Sequence, residues 1–163
     1  MKLTNLLLTL IIPISLFAQD PLPITNVFLF NYRQINDSSM VFYRPQMLTG
    51  FNQSGYNNQP AFFSNDEIYL SAQSSESSQT DIYKLNPVSK KKYRVTNTST
   101  PEYSPTPMPD GKHFSVIRVE SDGRQRLWKL PLDRSSAGYP LLPDLTDIGY
   151  HFWLNQDLSL IHI

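Results

Sequence analysis

Pro101-Glu102-Tyr103-Ser104-Pro105-Thr106-Pro107-Met108-Pro109-Asp110-Gly111-Lys112 is the stretch on which the fold of this chain turns. It opens on an aromatic and two prolines and closes on Asp-Gly, a pair suited to the positive φ of a tight hairpin. The same pattern stands earlier at Gly55-Tyr56-Asn57-Asn58-Gln59-Pro60-Ala61-Phe62 and later at Ile148-Gly149-Tyr150-His151-Phe152-Trp153-Leu154. Tyr56, Tyr103 and Tyr150 are spaced by 47 and 47 residues, and Pro60 and Pro107 keep that interval. A fixed period of this length is the signature of a repeat architecture.

Other elements recur around these tyrosines. Asn26-Val27-Phe28-Leu29-Phe30-Asn31 resembles Asp81-Ile82-Tyr83-Lys84-Leu85-Asn86, and both resemble Arg126-Leu127-Trp128-Lys129-Leu130-Pro131. Leu48-Thr49-Gly50 and Val95-Thr96-Asn97 hold matching places before a tyrosine. Glu67-Ile68-Tyr69-Leu70-Ser71 answers to Lys112-His113-Phe114-Ser115-Val116-Ile117. The runs are short, apolar and β-branched, which predicts strands. Asp122-Gly123 supplies a second tight turn, residues 71–80 a polar hairpin tip, and no stretch after the leader has helical period. A unit of about four strands that buries its faces only against its neighbours is a propeller blade. The expected fold is all-β: a partial β-propeller of four-stranded antiparallel blades, about two complete blades plus terminal fragments. Tyr56, Phe62, Tyr69, Tyr83, Tyr103, Phe114, Trp128, Tyr150 and Trp153 are read as packing between blades.

Composition bounds the rest. The chain has 163 residues, with 14 Lys+Arg against 14 Asp+Glu. Zero formal charge argues against a general electrostatic nucleic-acid binder. With no cysteine, disulfide scaffolds and Cys-ligated zinc are excluded. Met1-Lys2 followed by the apolar run to Phe17 and then Ala18 has the layout of a secretory signal, too short for a membrane span. Residues 1–18 are therefore expected to be a signal peptide, residues 19–157 the incomplete propeller, and the protein periplasmic or secreted.

Tyr103 to Lys112 resembles the Y-S-P-x-(F/W)-S-P-D-G-K signature of TolB-like propeller repeats. Asp81 to Leu85 resembles their D-I-Y-x-L strand, and Val95-Thr96 their L-T. The likeness covers residues 25–157; Ser64-Asn65-Asp66-Glu67 departs from the turn consensus, as does Met108 from the usual aromatic or serine. The resemblance implies a bacterial envelope protein that binds other envelope proteins through a ring usually of six blades. It does not imply the Tol component itself, because residues 19–26 leave no room for that protein's extra N-terminal domain. By this reading the segment from Val27 to Tyr43 completes a last blade whose other half lies beyond Ile163. Leu158-Ser159-Leu160-Ile161-His162-Ile163 reads as the translation of a transposon-end sequencing adapter (CTG TCT CTT ATA CAC ATC), so residues 158–163 are expected to be non-native; a natural strand is the alternative, and its place suits one.

The chain lacks a G-x-S-x-G elbow, an H-E-x-x-H pair, a Walker loop and a dinucleotide loop. His113 is read as a partly exposed strand residue, and His151 as a residue that could face a channel but makes no metal site alone. Asp144, Asp147 and Asp157 lack EF-hand spacing. Glu102 and Glu120 form no evident acid–base pair. Asn36, Asn52 and Asn97 fit the glycan acceptor pattern, and Lys90-Lys91-Lys92 with Arg94 reads as a solvated turn. No catalytic, cofactor-binding or metal-ligating residue is assigned, and no cofactor. The expected function is a non-catalytic interaction module whose partner is another envelope protein or peptide, with no nucleic acid and no membrane span after signal cleavage. The alternatives are the propeller of a prolyl-oligopeptidase-type serine peptidase, and a sugar-binding or lyase propeller of the oligogalacturonate-lyase kind.

Overall fold

The computed structural model describes residues 21–74 and 77–163; the expected signal peptide lies outside the described residues. These residues form an all-β structure of twelve strands and one 3₁₀ turn, Gly50–Asn52. Among them no helix is long and apolar enough to cross a membrane. Strands β1 (Phe28–Asn36) and β2 (Ser39–Met47) form an N-terminal pair. Sheet I has the order β3 (Tyr56–Phe62), β4 (Ile68–Gln73), β5 (Asp81–Leu85), β6 (Lys92–Arg94). Sheet II repeats it with β7 (Glu102–Pro107), β8 (His113–Val119), β9 (Gln125–Pro131) and β10 (Tyr139–Pro140). Strands β11 (Tyr150–Trp153) and β12 (Ser159–His162) form a C-terminal pair. All pairings are antiparallel and no sheet closes on itself.

The turns follow from their residues. Gly111 and Gly123 sit at φ 65° and 78°, at the two Asp-Gly sites. Asp110 Oδ1 accepts the N–H groups of Lys112 and His113 at 2.9 and 3.0 Å, an Asx turn that locks the hairpin. β4 runs on to Gln73, so the polar tip between β4 and β5 is shorter than the sequence suggests.

Backbone bonds reveal the true repeat. Leu48 N–H donates to Val27 O, Val95 to Ile82 and Leu141 to Leu127, at 2.9, 2.7 and 2.8 Å. Val27, Ile82 and Leu127 are therefore equivalent, and β1–β2 corresponds to the third and fourth strands of a sheet. The expected 47-residue tyrosine register is corrected. The first strands carry a bulge with positive φ at Gln59 (54°) and Ser104 (53°). That bulge equates Pro60 with Pro105, not Pro107, and Tyr103 with Asn58, not Tyr56. After it, Ala61 faces Tyr69, Thr106 faces Ser115, and Phe152 faces Leu160. Tyr56 and Tyr103 thus stand at different places in their strands, so their spacing is not the interval at which the sheet repeats.

Packing alternates along each strand, as a pleated sheet requires. Tyr69 and Ile82 of sheet I meet Phe114, Val116 and Leu130 of sheet II, all buried. Leu70, Ala72 and Leu85 on the opposite face of sheet I meet Val27, Leu48 and Phe51. Ile117 and Leu127 on the far face of sheet II meet Ile148, with Trp153 and Ile161 of the C-terminal pair packed alongside. Each sheet thus hides both faces against sequence neighbours. Two aromatics depart from the packing expectation: Phe62 is 60% and Tyr150 is 62% exposed. Phe63 does the work expected of Phe62, stacked on Tyr69 with centroids 3.8 Å apart.

Candidate binding cleft

First strands β3 and β7 lie side by side, with β11 next to β7. Their ends wall an open cleft of about 520 Å³, lined by Ala61, Phe62, Thr106, Met108, His151 and Trp153 among others. The wall is mainly apolar with a polar clamp behind it. Trp153 Nε1–H donates to Ser115 Oγ at 2.9 Å. The same oxygen lies 2.6 Å from His151 Nε2 and 3.4 Å from the carbonyl of Thr106. Ser115 belongs to the second strand of sheet II, so the clamp ties β11 to that sheet. His151 Nδ1 is buried with no hydrogen-bond partner among the described residues. Burial lowers the His151 pKa from 6.5 to about 4, so the ring is neutral at pH 7.

A serine hydrogen-bonded to a histidine suggests a nucleophile and its base. The geometry argues otherwise. Ser115 is wholly buried, its oxygen is engaged by an indole donor, and among the described residues no third group orients the imidazole through Nδ1. The clamp shapes the cleft; it does not present a reactive oxygen to it.

A second clamp joins sheets I and II beside the bulges. Gln59 Oε1 accepts both Ser104 N–H at 2.9 Å and Ser71 Oγ–H at 3.0 Å. Below it, Glu102 is fully buried and its Oε1 accepts Arg118 Nη2 at 2.7 Å and Thr98 Oγ1 at 2.9 Å. The Arg118 guanidinium lies 3.9 Å from the Trp128 ring centroid.

The remaining sequence candidates scatter. His113 is half-buried and contacts Asp110 Oδ2 at 2.7 Å, while Lys129 Nζ reaches the same oxygen at 3.2 Å. Burial works against ionising Asp110, but the Lys112 N–H, His113 and Lys129 hold its carboxyl well below the usual range. Arg94 leaves the basic turn to pair with buried Asp81 at 2.5 Å, and Lys92 lies 4.3 Å from the Phe51 ring centroid. Glu120 binds Arg126 at 2.6 Å and the Trp128 indole at 2.7 Å. Asp144, Asp147 and Asp157 are exposed. Among the described residues no group of three or more His, Cys, Asp and Glu could hold a metal. Asn36 and Asn97 are exposed, but Asn52 is buried and hydrogen-bonded to Asn57 and the Gln73 carbonyl, which removes it as a glycan acceptor.

The Ser115–His151–Trp153 clamp and the Glu102–Arg118 pair are the features sequence reasoning missed. Each joins residues far apart in the chain, and only the sheet register shows them as partners. No protein-family model matches this chain, and comparison with curated proteins finds none that matches it.

Proposed function

We propose that the chain is a TolB-like β-propeller segment serving as a non-catalytic protein-interaction module of the bacterial cell envelope. Residues 1–18 export it, residues 19–157 form the propeller portion, and it works in the periplasm or outside the cell. One observation carries this reading: the first strands of three successive repeat units run side by side and wall one cleft. In a propeller, blades surround a central channel, and rigid strand ends there suit a peptide or a partner's loop. An apolar wall of Phe62, Met108 and Trp153, backed by a neutral histidine, fits an uncharged segment better than an ionic ligand. The peptidase-propeller alternative draws no separate support from this geometry.

The test is site-specific photo-crosslinking in periplasm-targeted protein. A photoreactive residue at Met108 is expected to capture a discrete envelope protein, while the same group at Val88, 80% exposed outside the cleft, captures none. Phe62→Asp is expected to abolish the adduct. Hydrolysis of acyl or peptidyl substrates that disappears in Ser115→Ala would sink the non-catalytic reading, as would equal labelling from both positions.

A further inference from the structure

Lys90, Lys91 and Lys92 read in sequence as a solvated turn, and all three are exposed. The structure adds what lies beneath them. Together they wall a cavity of about 290 Å³ whose floor is Leu48, Phe51 and Leu85. Every residue that lines it falls within 47–51 or 85–92. Its two walls are therefore the end of β2 with the 3₁₀ turn, and the β5–β6 hairpin. Hydrogen bonds hold both walls in place. Asn86 Oδ1 accepts the N–H groups of Val88 and Ser89 at 3.0 and 2.7 Å. The Asn86 N–H donates to Lys91 O at 2.9 Å and closes the turn, with Lys90 at φ 60°. Gln46 Nε2–H donates to Pro87 O at 3.2 Å and fastens β2 to that turn.

Charge selects the ligand. On the strand bodies of the hairpin, Lys84 pairs with Glu67 and Arg94 with Asp81, at 2.8 and 2.5 Å. Lys90, Lys91 and Lys92 form no ion pair among the described residues, and no acidic residue lines the cavity. Lys92 Nζ instead lies 4.3 Å from the Phe51 ring centroid, so one ammonium group stands directly over the apolar floor. We propose that this cavity binds a small organic anion with an apolar body, a carboxylate or phosphate ester carrying an aromatic or short aliphatic group. An inorganic ion would meet only exposed ammonium groups, whose attraction water and salt screen. A neutral apolar molecule would use the floor and leave the lysines idle. A ligand with both parts engages both. Ammonium groups are point charges that do not demand a planar partner, so either head group is accepted. The volume sits at the small end of ligand pockets. The site shares no lining residue with the cleft at Phe62 and Met108 and stands independently of the interaction reading.

The experiment follows amide chemical shifts of the isotope-labelled full chain during titration with phenylacetate, phenyl phosphate, inorganic phosphate or phenylethanol. The two aromatic anions are expected to give saturable shifts concentrated at Leu48–Phe51 and Leu85–Lys92. Inorganic phosphate and phenylethanol should each bind about tenfold more weakly or less. Lys90→Gln with Lys92→Gln, both at exposed positions, should weaken the aromatic anions by about tenfold. Lys112→Gln with Arg124→Gln removes the same charge from exposed positions in sheet II and should leave binding unchanged. Whichever aromatic anion binds more tightly identifies the head group, and either result upholds the site. Equal weakening in the two double variants overturns it, since attraction by net charge alone would then account for binding. Phenylethanol or inorganic phosphate binding as tightly as the aromatic anions overturns the two-part ligand. Shifts that do not saturate by about 10 mM leave the lysines a solvated turn and overturn the site. None of these results bears on photo-crosslinking from Met108.

Discussion

His151 is the residue at which chemistry and stability meet. Its folded pKa of about 4 lies below the ordinary 6.5, so the unfolded chain binds the extra proton first as pH falls. Its contribution is fully present above about pH 6.5 and is lost as pH falls toward 4. The shift corresponds to about 3 kcal/mol. Urea unfolding at pH 7.5 and pH 4.5 should show this loss in the native protein and a much flatter dependence in His151→Asn. Glu102 and Arg118 make a different kind of contact, a salt bridge at 2.7 Å with both side chains buried. Arg118→Ala strands a buried carboxylate and should cost about 3–5 kcal/mol. Arg118→Met with Glu102→Leu should cost much less than Arg118→Ala alone, which a double-mutant cycle measures.

At the scale of the element, a threonine fastens the end of each early sheet unit. Thr96 Oγ1 accepts the Ile82 N–H at 2.8 Å, and Thr49 Oγ1 accepts the Val27 N–H at 3.1 Å. Thr96→Val keeps the shape and orphans a buried donor, so about 1–3 kcal/mol should be lost by chemical denaturation. Leu142 follows Leu141 at the corresponding place in sheet II, where no hydroxyl is available. Gly138 is a second fastening. At φ 77° a Cβ would lie 2.3 Å from the Lys129 carbonyl oxygen, on the strand that β10 pairs with. Gly138→Ala should therefore displace β10 and raise amide exchange at Tyr139 and Leu141 while leaving β7 and β8 unchanged.

Across the whole molecule, stability follows position in the series. Each unit contacts its neighbours, so cohesion is a sum of unit and interface terms. Sheets I and II have neighbours on both faces; the terminal pairs have one each. Amides of β4, β5, β8 and β9 should exchange slowest, and those around the β1–β2 turn at Asp37 and Ser38 fastest, in a native-state hydrogen-exchange series. Uniform protection along the chain would contradict this order.

The all-β class, the hairpin turns and the repetition of a strand set were legible in the sequence because they depend on local chemistry. Asp-Gly pairs set turns, alternation sets strands, and the Val27, Ile82 and Leu127 segments match by eye and by hydrogen bond alike. The register within the repeat was not legible. A bulge at Gln59 and Ser104 leaves no compositional mark, and tyrosines at non-equivalent strand positions gave a misleading period. The clamp at Ser115, His151 and Trp153 lay hidden for the same reason: its members are 36 and 38 residues apart from the serine. Local residues determined which elements form. Which side chains face one another was decided only when the sheets stacked, since pairing across sheets depends on cumulative register and no single segment carries it.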